Sequence, residues 1–216
     1  MPAIRRRQLL GLAERHDFLI VEDDYEFEMN FLESPTPALK SQDRYGRVVY
    51  VGSLSKSVFP GLRLGYLVAP ENVIKQARAL RHLILRHPPG HAQRTLAYFM
   101  ALGHYDAQIG KLRRHLAERR RVLQQAMDSV PLFSQSAAHL GGTSFWVRGP
   151  EWLDSRILAR RAMEKGVLIE PGDVFFQREN APLNYFRISY SAISADRINE
   201  GVERLALSLH GLLTLS

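Results

Sequence analysis

The stretch Val51-Gly-Ser-Leu-Ser-Lys56-Ser-Val-Phe-Pro-Gly-Leu-Arg63-Leu-Gly-Tyr66 decides how this chain reads. It follows a strand-like run, Arg47-Val-Val-Tyr-Val51. A single lysine sits among small hydroxyl residues, and an arginine follows it between Gly61 and Gly65. An amine attacks a carbonyl only when deprotonated, so reactive lysines are usually desolvated or placed near another cation. Lys56 alone reads as an exposed lysine in a loop after a strand. Ser53, Ser55 and Arg63 change that reading. Hydroxyls and a forked cation close to one amine form a good donor set for a phosphate, because charged donors make the strongest hydrogen bonds.

Upstream, Phe18-Leu-Ile-Val21 is long enough for a buried parallel strand and too short for a helix. It runs into Glu22-Asp23-Asp24-Tyr25. In α/β folds, ligands bind at the carboxyl ends of such strands. In extended chain, Asp23 and Tyr25 share a face while Asp24 points away. A carboxylate and a phenol are thus available to one ligand. An amine, an anion cradle, a carboxylate and a phenol are together what pyridoxal phosphate (PLP) needs. The carboxylate keeps the pyridine nitrogen protonated, and the protonated ring is the electron sink.

Outward from this centre, a helix is expected over Pro2–His16, with Leu9, Leu12 and Ala13 on one face. Asn30–Gln42, with Pro35 and Pro37, reads as a loop. Leu64–Val68 reads as a strand closed by Pro70. Helices are expected from Glu71 to before Pro88 (carrying Val73, Ile74, Ala77 and Leu80), over Ala92–Leu102, and over Tyr105–Asp128. The last has a stripe of Tyr105, Ile109, Leu112, Leu116, Leu123 and Met127. Beyond Pro131 come strands at Gly142–Val147, Val167–Glu170 and Tyr185–Tyr190, and a helix over Leu153–Lys165 stopped at Gly166. A final helix is capped by Ser194, with Ile198, Val202, Leu205, Leu209 and Leu212 inside. The expected organisation is a partial large α/β domain over 1–104, a connecting helix over 105–130 and a small α+β domain over 131–216.

Composition narrows the function classes. The 216 residues are 45% hydrophobic, enough to fill a core. Cysteine is absent, which excludes disulfides, thiolate metal sites and cysteine nucleophiles. No apolar run reaches the ~20 residues of a membrane span. The start, Met-Pro-Ala-Ile-Arg-Arg-Arg, lacks a signal-peptide pattern, so the cytoplasm is the default expectation. The formal net charge is +7. The basic run Lys111–Arg121 reads as the solvated face of a long helix, with nucleic-acid attraction as the alternative. The histidines show no HExxH or paired-ligand spacing. There is no GxSxG elbow and no Walker loop. Gly141-Gly142-Thr-Ser reads as strand entry near the site. Arg187 lies in the apolar run Tyr-Phe-Arg-Ile-Ser-Tyr, where a buried charge needs a partner. Two readings stay open for it: a bidentate contact to a ligand carboxylate, or an edge-strand arginine facing water.

Val-Glu-Asp-Asp-Tyr-Glu-Phe-Glu, the Lys56 stretch and Gly103-His-Tyr-Asp with its arginine-rich helix resemble fold-type I PLP enzymes of the aminotransferase class I/II family. They are most similar to the aminotransferase-like domain of MocR-type regulators in the GntR superfamily. The spacing Asp-x-Tyr, where many plain aminotransferases have Asp-x-x-Tyr, favours the regulator group. The resemblance implies that Lys56 forms the internal aldimine, that Asp23 pairs with the pyridine nitrogen and that Tyr25 contacts O3′. It implies that Ser53, Ser55 and Arg63 hold the phosphate and that Arg187 binds the carboxylate of an amino-acid-like effector or substrate. It further implies a homodimer, DNA contact only through an upstream winged-helix domain absent from this chain, and a carboxy-terminal fragment. Three functions follow as expectations. The first is a sensor that forms an external aldimine with an amino acid or amine. The second is a PLP-dependent transaminase. The third is a truncated remnant without the cofactor.

Overall fold

The computed structural model describes residues 1–30, 37–135, 142–177 and 180–213. Part of the proline-containing loop expected at 30–42, and Gly141 of the expected Gly-rich turn, lie outside these residues. The chain forms two compact units, Met1–Leu112 and Arg113–Ser216.

The first unit opens with α1 (Ala3–Arg15). Of its expected inner face only Ala13 is buried, together with Arg6, whose guanidinium donates to the Pro37 carbonyl. Strand β1 (Ile20–Asp24) lies parallel to β2 (Val48–Ser53), and β3 (Gly65–Val68) adds antiparallel to β2. The sheet order is β1-β2-β3, so β2 is central, and its Val48, Val49 and Tyr50 are buried. Strand β1 starts two residues later than the apolar run that announced it, and its Val21 is 67% exposed.

Two carboxylates set the path between these strands. Glu22 on β1 accepts from the backbone N–H groups of Leu39 and Lys40 at 2.6 and 2.8 Å, which fixes the start of a 3-10 turn at Leu39–Gln42. Asp43 then accepts from Lys40 Nζ and from the N–H groups of Arg47 and Val48, each at 2.9 Å. Its side chain is 1% exposed. Burial alone would raise its pKa. The Lys40 and backbone donors outweigh burial and hold the carboxyl at about 2. This knot delivers the chain into β2.

After β3 come α2 (Glu71–Leu85) and α3 (Gly90–Ala101). Both helices form as the periodicity predicts, yet neither contains a buried residue. Leu83 is 81% exposed. Helix α4 (His104–Asp128) runs from this unit into the next. Of its apolar stripe, Ile109, Leu116, Leu123 and Met127 are buried.

In the second unit, β4 (Ser134–Gln135), β5 (Ser144–Arg148), β6 (Glu170–Pro171) and β7 (Tyr185–Ser189) form an antiparallel sheet in the order β4-β5-β7-β6. Alternation puts Phe145, Val147, Phe186 and Ile188 on the inner face. The core also holds Leu158 and Ala162 of α5 (Ser155–Glu164) and Val202, Leu205 and Leu209 of α6 (Ile198–Leu213). Each fully buried leucine contributes roughly 2 kcal/mol relative to exposure. Asp154 caps α5 by accepting from the Arg156 N–H at 2.9 Å. Helix α6 begins through a 3-10 turn at Ala195–Arg197, with Ser194 in front of that turn rather than directly before the helix.

The expected strand at Val167–Glu170 shrinks to Glu170–Pro171. Gly166 takes a left-handed φ of +77° past the end of α5, and the Val167 N–H returns to the Ala162 carbonyl. The chain therefore reaches the sheet three residues late.

Candidate functional site

Parallel pairing of β1 and β2 sets Asp23 beside Val51 and Asp24 beside Gly52. Both strands therefore end at the same edge of the sheet, and the turns that follow them leave side by side. The turn after β2 closes on itself. Leu54 N–H donates to the Leu64 carbonyl and Val58 N–H to the Leu54 carbonyl, both at 3.0 Å, while Leu54 and Leu62 are buried beneath it. Ser53 Oγ accepts from the Ser55 N–H at 3.3 Å, so the two hydroxyl residues share one small turn. A 3-10 turn at Pro60–Leu62 leads to Arg63, which is exposed and left-handed at φ +50°.

Lys56 reaches from this turn to the end of β1. Its Nζ lies 2.7 Å from Glu26 Oε1 and 4.1 Å from the centroid of the Tyr25 ring. The lysine side chain is 44% exposed. Tyr25 and Lys56, the phenol and amine singled out from sequence, thus meet. Asp23 lies on the exposed side of β1, as the alternation requires, with Glu22 and Asp24 on the other. Arg187 lies in the second unit, on a central strand rather than an edge. It is half-exposed, and Glu170 on β6 binds its Nε at 2.7 Å and its Nη2 at 2.5 Å. The guanidinium also sits 5.3 Å from the centroid of Phe175.

The opposite face of the first sheet is held by a phenol cluster. Tyr50 Oη donates to Asp24 Oδ2 at 3.3 Å, and the Tyr50 and Tyr66 rings lie 5.9 Å apart. Burial raises the Asp24 carboxyl above its usual range, and the Tyr50 hydrogen bond opposes this in part. Burial first, then Tyr66 and Asp24, push the Tyr50 phenol well upward, so it stays protonated. The Tyr66 ring lies over Gly52: a Cβ there would lie 2.2 Å from Tyr66 Cζ and would push the ring aside. Just past Tyr25, the buried Glu28 accepts from Tyr105 Oη at 2.9 Å and ties the segment after β1 to α4. Burial and then Glu28 raise the Tyr105 phenol.

Sequence reasoning passed over Glu26 and Glu170. Glu26 adjoins Tyr25 in the same acidic run, and that adjacency was the available signal. Glu170 becomes the partner of Arg187 only through the β6–β7 register, which no local pattern reveals. Among the described residues no cluster of His, Asp or Glu is arranged to hold a metal, and no helix is long and apolar enough to cross a membrane.

Comparison with known proteins matches this architecture. The chain is 51% identical over 209 residues to the HTH-type transcriptional regulator TauR of Rhodobacter capsulatus, covering 97% of this chain and 43% of that protein. A multiple substrate aminotransferase from Thermococcus profundus superposes with a TM-score of 0.91 at 31% identity, over 100% of this chain and 54% of that one. LysN, an alpha-aminoadipate aminotransferase from Thermus thermophilus solved with N-(5'-phosphopyridoxyl)-L-leucine, superposes with a TM-score of 0.89 at 30% identity, over 100% of this chain and 56% of that one. The chain spans about half the length of the relatives it matches. The family profile described as aminotransferase class I and II matches residues 4–205, and this chain belongs to that family.

Proposed function

We propose that residues 1–216 form the PLP-binding, effector-sensing part of an aminotransferase-like transcriptional regulator. The observation that carries this reading is the meeting of the Lys56 amine with Tyr25 where two parallel strands end together. The likeness to TauR favours a regulator.

The donor chemistry at this edge fits PLP. Lys56 supplies the amine that holds the aldehyde carbon. Ser53, Ser55 and Arg63 supply hydroxyls and a guanidinium for the phosphate. Asp23 would hold the ring nitrogen and Tyr25 the ring oxygen. PLP, when bound, supplies the electron sink that neither acids nor bases of the protein can provide. Arg187 would receive the carboxylate of an amino-acid-like ligand once Glu170 yields it. The ligand shifts a conformational equilibrium only if it binds the two states unequally. In this reading two copies pair, and DNA is contacted by a winged-helix segment outside residues 1–216.

A second reading, PLP-dependent transamination, draws on the 30–31% identity to the two solved aminotransferases. Lys56 then also moves a proton as acid and base. Titration with PLP, followed by borohydride reduction and peptide mass spectrometry, tests the shared core: the expected result is a new absorbance band and a pyridoxyl mass on the Lys56 peptide. No band and no adduct would leave a chain that does not take the cofactor. A turnover assay with an amino donor and a keto acid on the full-length form separates the two readings, because ping-pong product formation would remove the pure sensor.

A further inference from the structure

Glu26 is the carboxylate that meets the Lys56 amine. An ion pair is made by the ammonium form of lysine, whereas attack on an electrophile needs the free lone pair. The Lys56 Nζ is bounded on one side by the Glu26 carboxylate at 2.7 Å and on another by the Tyr25 ring at 4.1 Å. Both contacts engage the charged amine. They come from adjacent residues of one turn, so they hold the lysine to the end of β1 as a pair. The Glu26 side chain is 25% exposed, more sheltered than the lysine it binds. By contrast Lys75, paired with Glu71 on α2, is 73% exposed with an 82% exposed partner. The Lys56 pair joins the turns that follow β1 and β2, and the Lys75 pair lies within one helix.

We infer that Glu26 is a positioning residue that docks the Lys56 ammonium against β1 and restrains its reaction with electrophiles, so that an arriving aldehyde must displace Glu26 before the amine is available. This deepens the proposed PLP site and rests on it only for the identity of the natural electrophile. Glu26 is absent from the set of residues proposed to hold PLP, and its effect is exerted through Lys56.

The restraint is measurable without the cofactor. The 216-residue chain is labelled with a small amine-reactive ester, and peptide mass spectrometry reads the labelling rate at each lysine. Glu26→Gln is expected to raise the rate at Lys56 roughly two- to five-fold, the range for loss of a partly exposed ion pair. Lys75 and Lys165 serve as references and are expected to keep their rates. Glu26→Asp, which retains the charge, is expected to stay within about two-fold of the parent at Lys56. In the unaltered chain, added salt is expected to raise Lys56 labelling relative to Lys165, because partly exposed pairs are screened. This arm needs no variant to fold. Unchanged Lys56 labelling in Glu26→Gln and in high salt, or an equal rise at every lysine, would overturn the inference. Failure of PLP to bind, with Lys56 labelling still raised in Glu26→Gln, would sink the cofactor reading and leave this one standing.

Discussion

Glu170 stands directly across the β6–β7 ladder from Arg187 and grips its guanidinium through both Nε and Nη2. The cation proposed to receive a ligand carboxylate already holds one from its own chain. Both partners are nearly half exposed, so solvent screens the pair. A double-mutant cycle on Arg187→Ala and Glu170→Ala is expected to give a coupling of roughly 0.5 kcal/mol in urea unfolding. Under the proposed function, Arg187→Ala weakens carboxylate-bearing ligands and leaves PLP bound. Equal loss of both in ligand titration would make Arg187 structural instead.

Lys56→Ala is expected to abolish the PLP absorbance band and the borohydride-stable adduct while far-ultraviolet circular dichroism is unchanged. The side chain is nearly half exposed, so its removal opens no core cavity. A band that persists in Lys56→Ala would move the covalent attachment to another amine.

Asp43 offers a test of stability against pH. Its folded pKa of about 2 lies below the ordinary aspartate value of 3.8. A depressed carboxyl contributes stability above its unfolded pKa, and that contribution disappears as pH falls through the folded value. Asp43→Asn is therefore expected to cost about 2 kcal/mol at pH 7. The difference between the two proteins should shrink below about pH 4, be mostly gone near pH 2 and vanish below it, as read by urea titration across that range. A difference constant with pH would assign the loss to geometry rather than charge.

Gly52→Ala drives a methyl group into the Tyr66 ring, 2.2 Å from Cζ. The Tyr66 ring is 41% exposed and must swing aside, so the expected cost is about 1 kcal/mol, the low end of overpacking. Tyr66→Ala in the same chain should recover most of it in a thermal melt, because the ring is the obstacle. Failure to recover would point to the β2 backbone.

How far the sequence carries can be judged from three places. In α6 the apolar stripe correctly announces Ile198, Val202, Leu205 and Leu209 as core. Periodicity suffices there because α5 packs against this helix. In α2 an equally regular stripe of Val73, Ile74, Ala77 and Leu80 forms its helix but buries none of these residues. Amphipathicity reports which face is apolar and says nothing about what covers it. At the site, strand-end positions for Tyr25 and Lys56 are legible because buried apolar runs make such ends visible, whereas their belonging to one site is implied only by the family resemblance. Glu26 is signalled only by its adjacency to Tyr25, and Glu170 is not legible, since its pairing with Arg187 depends on the β6–β7 register.

The left-handed backbone at Arg63 carries a practical consequence. That conformation costs a residue with a Cβ roughly 1–2 kcal/mol, and glycine would escape the cost. Anyone hardening this protein for heat or storage would find position 63 an obvious place to insert glycine. Under the proposed function the sturdier variant would lack the guanidinium offered to the phosphate, so durability and ligand capture would pull against each other at a single backbone torsion.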